Sequence, residues 1–380
     1  MVARRLRERW YLYGNDLALA DDLLRHDLSK ANTAFERAWL LKHWPSLGKF
    51  ESAEQWLLNK EPNLLKELPG KATLLRVLQH QTDPNPWRAM VPPDQRVEVE
   101  AFCESIAQSD QSLALWLGGG LGDQLECLSK ICDPRLQAWW SRLQIVLPLQ
   151  SRQALKPFLQ EHWPRWAPGY QFVEGPPHPL RQKNWLSWMS WFFCLAQQNF
   201  EAQPQVMSDG LLEETAPPSL LCCWRSKIDP SERHWAHLRS LPFLEIARVY
   251  ERLVPWARRL GIRLIDLTAY RSDERQTLLR YGSTLELGQP KIRSLCDTVT
   301  LLRASRGVIT VDTALVHLAA WFGWPTRLLL HLYPDERWGG CRSLGLYRNH
   351  PIQVLQQNAY NTWTSVRDAL LLSLADWPWL

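Results

Sequence analysis

The chain is 380 residues long, 46% apolar and 22% charged, with a formal net charge of +5. That length exceeds one ordinary domain and suits two or three, and that balance of residues can bury full cores, which excludes a disordered chain. The mild positive charge suits a small anionic ligand. Because Lys and Arg are scattered instead of gathered into a stripe, a nucleic-acid partner is not expected.

From the N-terminus, MVARRLRERWYLYG has no apolar core segment, so no signal peptide is expected. Residues 1–82 read as helix throughout, since DLALADDLLRHDL and ANTAFERAWLLKHW repeat apolar residues at helical spacing. Gly48, Phe50, Ala53 and Leu57 fit one hairpin of a tetratricopeptide repeat, but no clean period of about 34 residues follows, and a plain helical cap is the competing reading. DPNPW and MVPPDQ mark a linker over 83–95, and a short helix follows at 97–108. The pattern then alternates. SLALWL reads as a strand, 118–123 as a tight loop and QLECLSKI as a helix. QIVLPL is a strand, SRQALKPFLQEHW a helix and QFVEG a strand. In KNWLSWMSWFF, Trp185, Trp188 and Trp191 fall on one helical face, which predicts a helix there.

ETAPPS separates this series from a second one. SLLCCW is a strand, PFLEIARVYERLVPWARRLG a helix or a Pro-broken pair of helices, and IRLIDLTA a strand. SLCDTVTLLRAS is a helix, RGVITV a strand, DTALVHLAAWFG a helix and TRLLLHLY a strand. NTWTSVRDALLLSLADW closes the chain as an amphipathic helix. Alternating strands and helices in two runs predict an α/β protein with two parallel sheets. The expected division is a helical region over 1–95 and two α/β units over 96–215 and 216–380.

The longest apolar run, at 185–196, falls short of the roughly 20 residues that cross a bilayer, so no transmembrane segment is expected. The eight cysteines show no C-x-x-C spacing and no Cys/His cluster, so they read as reduced thiols of a cytoplasmic chain with no metal site. The 22 tryptophans are read as core residues before sugar platforms.

Three motifs carry chemistry. In GVITVDTALVHLAAWFGWPT a β-branched run ends at Asp312, and Thr313 stands where a helix N-cap belongs. Ligands of open α/β sheets bind beyond strand carboxyl ends, and a helix N-terminus there attracts phosphate. His317 lies one turn on, on the face of Thr313. A capped helix with a satisfied core histidine is the competing reading. The second motif is LGGGLGDQLE, in which Gly120 and Gly122 let the backbone approach a ligand and Asp123, at a helix start, can serve as a base. Its glycines match neither the dinucleotide fingerprint nor a P-loop, Glu126 is a weaker base candidate, and a helix-capping Asp123 is the competing reading. The third is CCWRSKIDPSERHWAHLRSLPF, where Arg225, Lys227, Arg233 and Arg239 follow a strand and suit a diphosphate unless they form a merely solvated basic loop.

Together these motifs resemble the heptosyltransferase-like glycosyltransferases of family 9, bacterial members with N-terminal tetratricopeptide repeats above all. VDTALVHLAAWFGWPT is similar to that family's V-D-T-x-x-x-H-L-A-x-x-x-G-x-P signature, with Pro334, Asp335, Arg337 and Trp338 after it. CDTVTLLRAS, RSLPF and GGGLGD are similar to further elements of the family. The resemblance is specific over 219–356 and fair over 112–130. It implies a GT-B fold, with two Rossmann-like domains facing a cleft, and a nucleoside diphosphate sugar as donor. It implies inverting transfer to a hydroxyl acceptor without metal or cofactor. By position it makes Asp123 the catalytic base. Asp312, Thr313 and His317 become donor contacts, Arg225 and Lys227 fall where a basic phosphate contact is expected, and Gly120 and Gly122 are likewise expected to bind the donor. The repeat region is reduced and Gln124 and Glu126 replace apolar residues, so the acceptor (a glycan, a lipid-linked sugar or a protein) is left open, as is peripheral membrane contact. A catalytically silent GT-B scaffold that binds partners is the alternative. A nucleotide-sugar epimerase shares the fold, and the failed glycine fingerprint disfavours a nicotinamide enzyme.

Overall fold

The computed structural model describes residues 113–132, 140–164, 167, 169–174, 185–187, 218–226, 239–288, 294–331, 338, 350–358 and 363–377. The helices expected at 1–82 and 97–108, including the tetratricopeptide hairpin, lie outside them.

Two parallel sheets follow one another along the chain. The first contains β1 (Leu113–Trp116), β2 (Leu143–Pro148), β3 (Tyr170–Val173) and β4 (Trp185–Ser187), in the order β3-β2-β1-β4. Helix α1 (Leu121–Ile131) joins β1 towards β2, and α2 (Arg152–His162) joins β2 to β3. The second sheet contains β5 (Ser219–Cys223), β6 (Arg263–Asp266), β7 (Leu285–Leu287), β8 (Gly307–Val311), β9 (Thr326–Leu330) and β10 (Ile352–Gln356), in the order β10-β9-β8-β5-β6-β7. Its helices are α3 (Phe243–Arg259), α4 (Ser272–Leu278), α5 (Leu295–Arg303), α6 (Ala314–Trp321) and α7 (Trp363–Ser373). Every described strand pair is parallel. β8 and β9 are buried at every position, as expected of strands covered by helices on both faces, and this explains their unbroken apolar runs.

Counted from β5, the second sheet has the doubly wound order 3-2-1-4-5-6, and the first sheet repeats its beginning as 3-2-1-4. In each sheet the strand order reverses beside the first strand, between β1 and β4 and between β5 and β8. This is the fold class the sequence implied: two Rossmann-like units of the GT-B kind.

One apolar core runs through both units. Leu115, Leu128 and Phe158 of the first unit join Leu318, Trp321 and Phe322 of the second, with the Phe158 ring edge-on to Trp321 at 5.2 Å. α1 packs on α6 and α2 on α5. Among the described residues no helix is long and apolar enough to cross a membrane.

Two local expectations need correction. Residues 185–187 form strand β4, where the tryptophan spacing predicts a helix; the backbone pairs with the open side of β1, and a short apolar run does not by itself distinguish a buried strand from a helix. The glycine loop is shorter than expected, because α1 already begins at Leu121. PFLEIARVYERLVPWARRLG takes the first of its two expected forms, a single helix with Pro255 inside it, on the exposed side, so the carbonyl that loses its partner faces solvent. α4, β7 and β10 are elements that the sequence reading passed over.

Candidate functional site

Both strand-order reversals carry a motif singled out in the sequence. At the carboxyl end of β8, Asp312 precedes Thr313, whose side chain accepts the Leu315 N–H at 3.3 Å and caps α6. The Thr313 hydroxyl also lies 3.1 Å from that of Thr310. Thr313 caps because its extended backbone (φ −144°) turns the short hydroxyl back over the first helical turn. Asp312 is 5% exposed, and Arg239 Nη1 donates to its Oδ2 at 3.5 Å. His317 is 2% exposed, with Nε2 3.8 Å from Asp312 Oδ1, and its ring lies 5.4 Å from that of buried Trp338. Arg239, Asp312, Thr313 and His317 therefore gather at the reversal of the second sheet, beside the positive end of a helix.

At the carboxyl end of β1 the glycine loop leads into α1. Gly119 has φ +77°, and a Cβ there would lie 2.6 Å from Asp123 Oδ2, so only glycine fits. The Gly120 N–H donates to Asp123 Oδ2 at 2.7 Å, which makes Asp123 a cap of α1 whatever else it does. The Gln124 amide donates to Gly119 O, and Glu126 is fully buried within α1, turned to the core.

The two motifs meet. A Cβ on Gly122 would lie 2.7 Å from His317 Cδ2 and 3.0 Å from Nε2. Gly122 is thus the point where α1 of one unit touches α6 of the other, and Asp123 is the next residue. The arrangement provides a carboxylate, an imidazole, a hydroxyl and a guanidinium around two adjoining helix N-termini.

The third motif divides. Arg225 makes a paired ion bridge to Glu274, Nη1 to Oε2 at 2.8 Å and Nη2 to Oε1 at 2.9 Å, and its Nε donates to Leu241 O. It ties the end of β5 to α4. Burial alone would raise the Glu274 pKa, but the Arg225 bonds and the Arg271 backbone N–H outweigh it and hold the carboxyl below its ordinary value. Lys227 and Arg233 lie outside the described residues. Arg239, read in the sequence only as one of four cations, reaches Asp312, and among the described residues of the motif it is the one that does; the signal was the RSLPF element that it opens.

A buried network below the site was missed. Asp266, at the carboxyl end of β6, accepts bonds from the Tyr250 and Tyr270 hydroxyls, each at 2.6 Å, and from Thr268 N–H at 2.8 Å. Tyr250 in turn accepts from Trp224 Nε1. Burial pushes the Asp266 carboxyl up, against the pull of those donors. Burial, then the Asp266 charge, raises both tyrosines and takes the Cys223 thiol to about 11. In a dinucleotide-binding sheet the acid at the end of this second strand holds a ribose. Asp266 is 0% exposed and turned inward, which adds to the case against a nicotinamide enzyme.

The groups that could hold a metal among the described residues are elsewhere, at Glu161, His162 and Cys296.

Two doubly wound sheets whose reversals adjoin define an α/β protein of the GT-B class. No family model matches the chain, and no curated protein does. Among solved structures it is similar to ADP-heptose lps heptosyltransferase II of E. coli, with 13% identity, a TM-score of 0.43, and coverage of 70% of this chain and 100% of that one. It is similar to E. coli heptosyltransferase WaaC with ADP, with 14% identity, a TM-score of 0.41 and the same coverage, 70% and 100%. It is also similar to a glycosyl transferase family 9 protein of Veillonella parvula, with 9% identity, a TM-score of 0.40, and coverage of 72% and 90%. Likenesses at this level carry no weight for function, which has to come from the site itself.

Proposed function

We propose that the chain is a glycosyltransferase that moves a sugar from a nucleoside diphosphate donor to a hydroxyl acceptor, with inversion and without a metal in the transfer step. The observation that carries the reading is the contact of Gly122 with His317, which brings the base-bearing loop of one sheet against the phosphate-ready helix of the other. The donor diphosphate lies at the N-terminus of α6, against Thr313 and His317, with Arg239 supplying positive charge as the leaving group forms. Asp312 has the wrong charge for a phosphate; its part is to hold Arg239 and face His317, with a donor ribose hydroxyl as a second partner. Asp123 removes the acceptor proton. Residues 216–380 serve the donor and 96–215 the acceptor, in keeping with the motif resemblance of 219–356.

A second reading has its own observation. Asp123 already caps α1 through Gly120, as it would in a silent scaffold that only binds partners. Asp123→Asn separates the two, because an amide oxygen still accepts the Gly120 N–H while the base is lost. The enzyme reading expects sugar transfer to fall roughly 10²–10⁴-fold, with thermal stabilisation by nucleoside diphosphates unchanged. A screen of nucleoside diphosphates and their sugars by thermal shift comes first. A chain stabilised by none of them, or one whose Asn variant transfers sugar as fast as wild type, is not this enzyme.

A further inference from the structure

We propose that Glu161, His162 and Cys296 form a binding site for a zinc-type divalent cation that clasps the two α/β units together. The inference does not depend on the transferase reading. Glu161 and His162 end α2 of the first unit, and Cys296 lies in the first turn of α5 of the second. One carboxylate oxygen, one ring nitrogen and the thiol sulfur all lie within 4.8 Å of one another.

The imidazole supplies the independent sign of a ligand. The His162 side chain is 8% exposed, and its Nε2 is buried without a hydrogen-bond partner. The ring is held in place by Phe158 and Phe322, at centroid distances of 5.1 and 5.9 Å. Nε2 faces Glu161 Oε1 at 3.4 Å. The two atoms face each other with no hydrogen bond between them. A cation between the two satisfies both.

The ligand set selects the metal. Magnesium and calcium take oxygen donors, whereas zinc accepts nitrogen, sulfur and oxygen together. Zinc bonds of about 2.0–2.3 Å place ligand atoms about 3.3–3.7 Å apart in a tetrahedron. The three atoms approach that spacing after a small adjustment, which the 56% exposed Glu161 side chain is free to make. A water fills the fourth position. Cys296 is a free thiol. As the zinc–sulfur bond forms, the thiol proton passes to solvent, while His162 gives a lone pair and releases none.

The test uses the full chain, stripped of metal with a chelator and kept reduced with a phosphine. Zinc is titrated against a chromophoric chelator, and cobalt(II) is added in parallel. The expected result is one zinc per chain, a rise in melting temperature with zinc, and a sulfur-to-cobalt charge-transfer band. Cys296→Ser loses the band, and both Cys296→Ser and His162→Ala lose zinc retention and the thermal gain. Glu161→Gln, altered only at an exposed side chain, stays folded and binds more weakly. The chain has eight cysteines, so adventitious binding elsewhere is the rival. Absence of zinc binding, or stoichiometry and cobalt spectrum unchanged in Cys296→Ser and His162→Ala, overturns the site.

Discussion

Gly122→Ala tests the junction of the two units directly. Gly122 is the second residue of α1, where alanine is favoured over glycine by about 1 kcal/mol in an unhindered helix. Against that, the added methyl would sit 2.7 Å from His317 Cδ2, closer than carbon atoms pack. His317 cannot simply swing aside, since it is 2% exposed with buried Trp338 against its ring. Forcing a methyl into such a contact costs about 1–3 kcal/mol. The net expectation is a loss of up to about 2 kcal/mol, read as a lower urea midpoint at unchanged slope. In a His317→Ala background the clash is gone, so the same Gly122→Ala change becomes stabilising by up to about 1 kcal/mol. The double-mutant coupling energy is then about 1–3 kcal/mol. A coupling near zero, with Gly122→Ala stabilising in both backgrounds, would refute the contact on which the site is built.

The two described arginines of the third motif separate by what they touch. Arg225→Ala takes the two-pronged cation from Glu274, 5% exposed, but leaves it the longer Arg271 contact at 3.6 Å and the Arg271 backbone N–H, so it is expected to cost about 1–2 kcal/mol of stability, below the range for a fully buried pair. Lysine does not restore the two-pronged bond. Arg239→Ala takes a single, longer 3.5 Å contact from the buried Asp312, so it is expected to cost up to about 1 kcal/mol of stability, and under the proposed function to weaken nucleoside diphosphate binding about tenfold, the loss of one charge-assisted contact, measured by calorimetry. The acid limb of stability reports on Glu274. Its folded pKa lies below its ordinary value of 4.5, so the bridge stabilises fully above that value and is lost as the pH falls through the lowered one. Asp266 has the opposite sign: raised by burial, it favours the folded state most below its ordinary 3.8, and that contribution is lost as the pH rises through the raised value. Denaturation midpoints between pH 6 and pH 3 should therefore fall less steeply in Glu274→Gln than in wild type.

The parts of the site that could be read in the sequence are those whose residues are neighbours in the chain. Asp312, Thr313 and His317 follow one strand and open one helix, so strand run, cap and helical spacing are enough to place them. The glycine loop is legible for the same reason, although Asp123 as cap and Asp123 as base leave the same signature. What escaped the sequence depends on distant segments. Arg225 pairs with Glu274 only because α4, too short to show a periodicity, docks beside β5. β4 forms because β1 offers it a backbone edge, which no local pattern records. His162 and Cys296 belong to different units, so no spacing rule for metal ligands can find them, and the expectation of no metal cluster was drawn from spacing alone.

The packing that creates the site also constrains how it works. Chains with two α/β units commonly move them as separate bodies when the interface is small and polar. Here a single apolar core crosses the junction, from Phe158 to Trp321 and Phe322, and Gly122 brings α1 against His317. Wide opening would expose those rings to water and break the contact that sets Asp123 beside the α6 terminus. Under the proposed function a donor would therefore enter along the carboxyl edges of the strands, with side chains such as Arg239, 27% exposed, moving in place of whole units. On this view Gly122 is chosen for position more than for flexibility. Any side chain there would wedge the two reversals apart, and the helix termini that share one ligand in the proposed function would no longer adjoin.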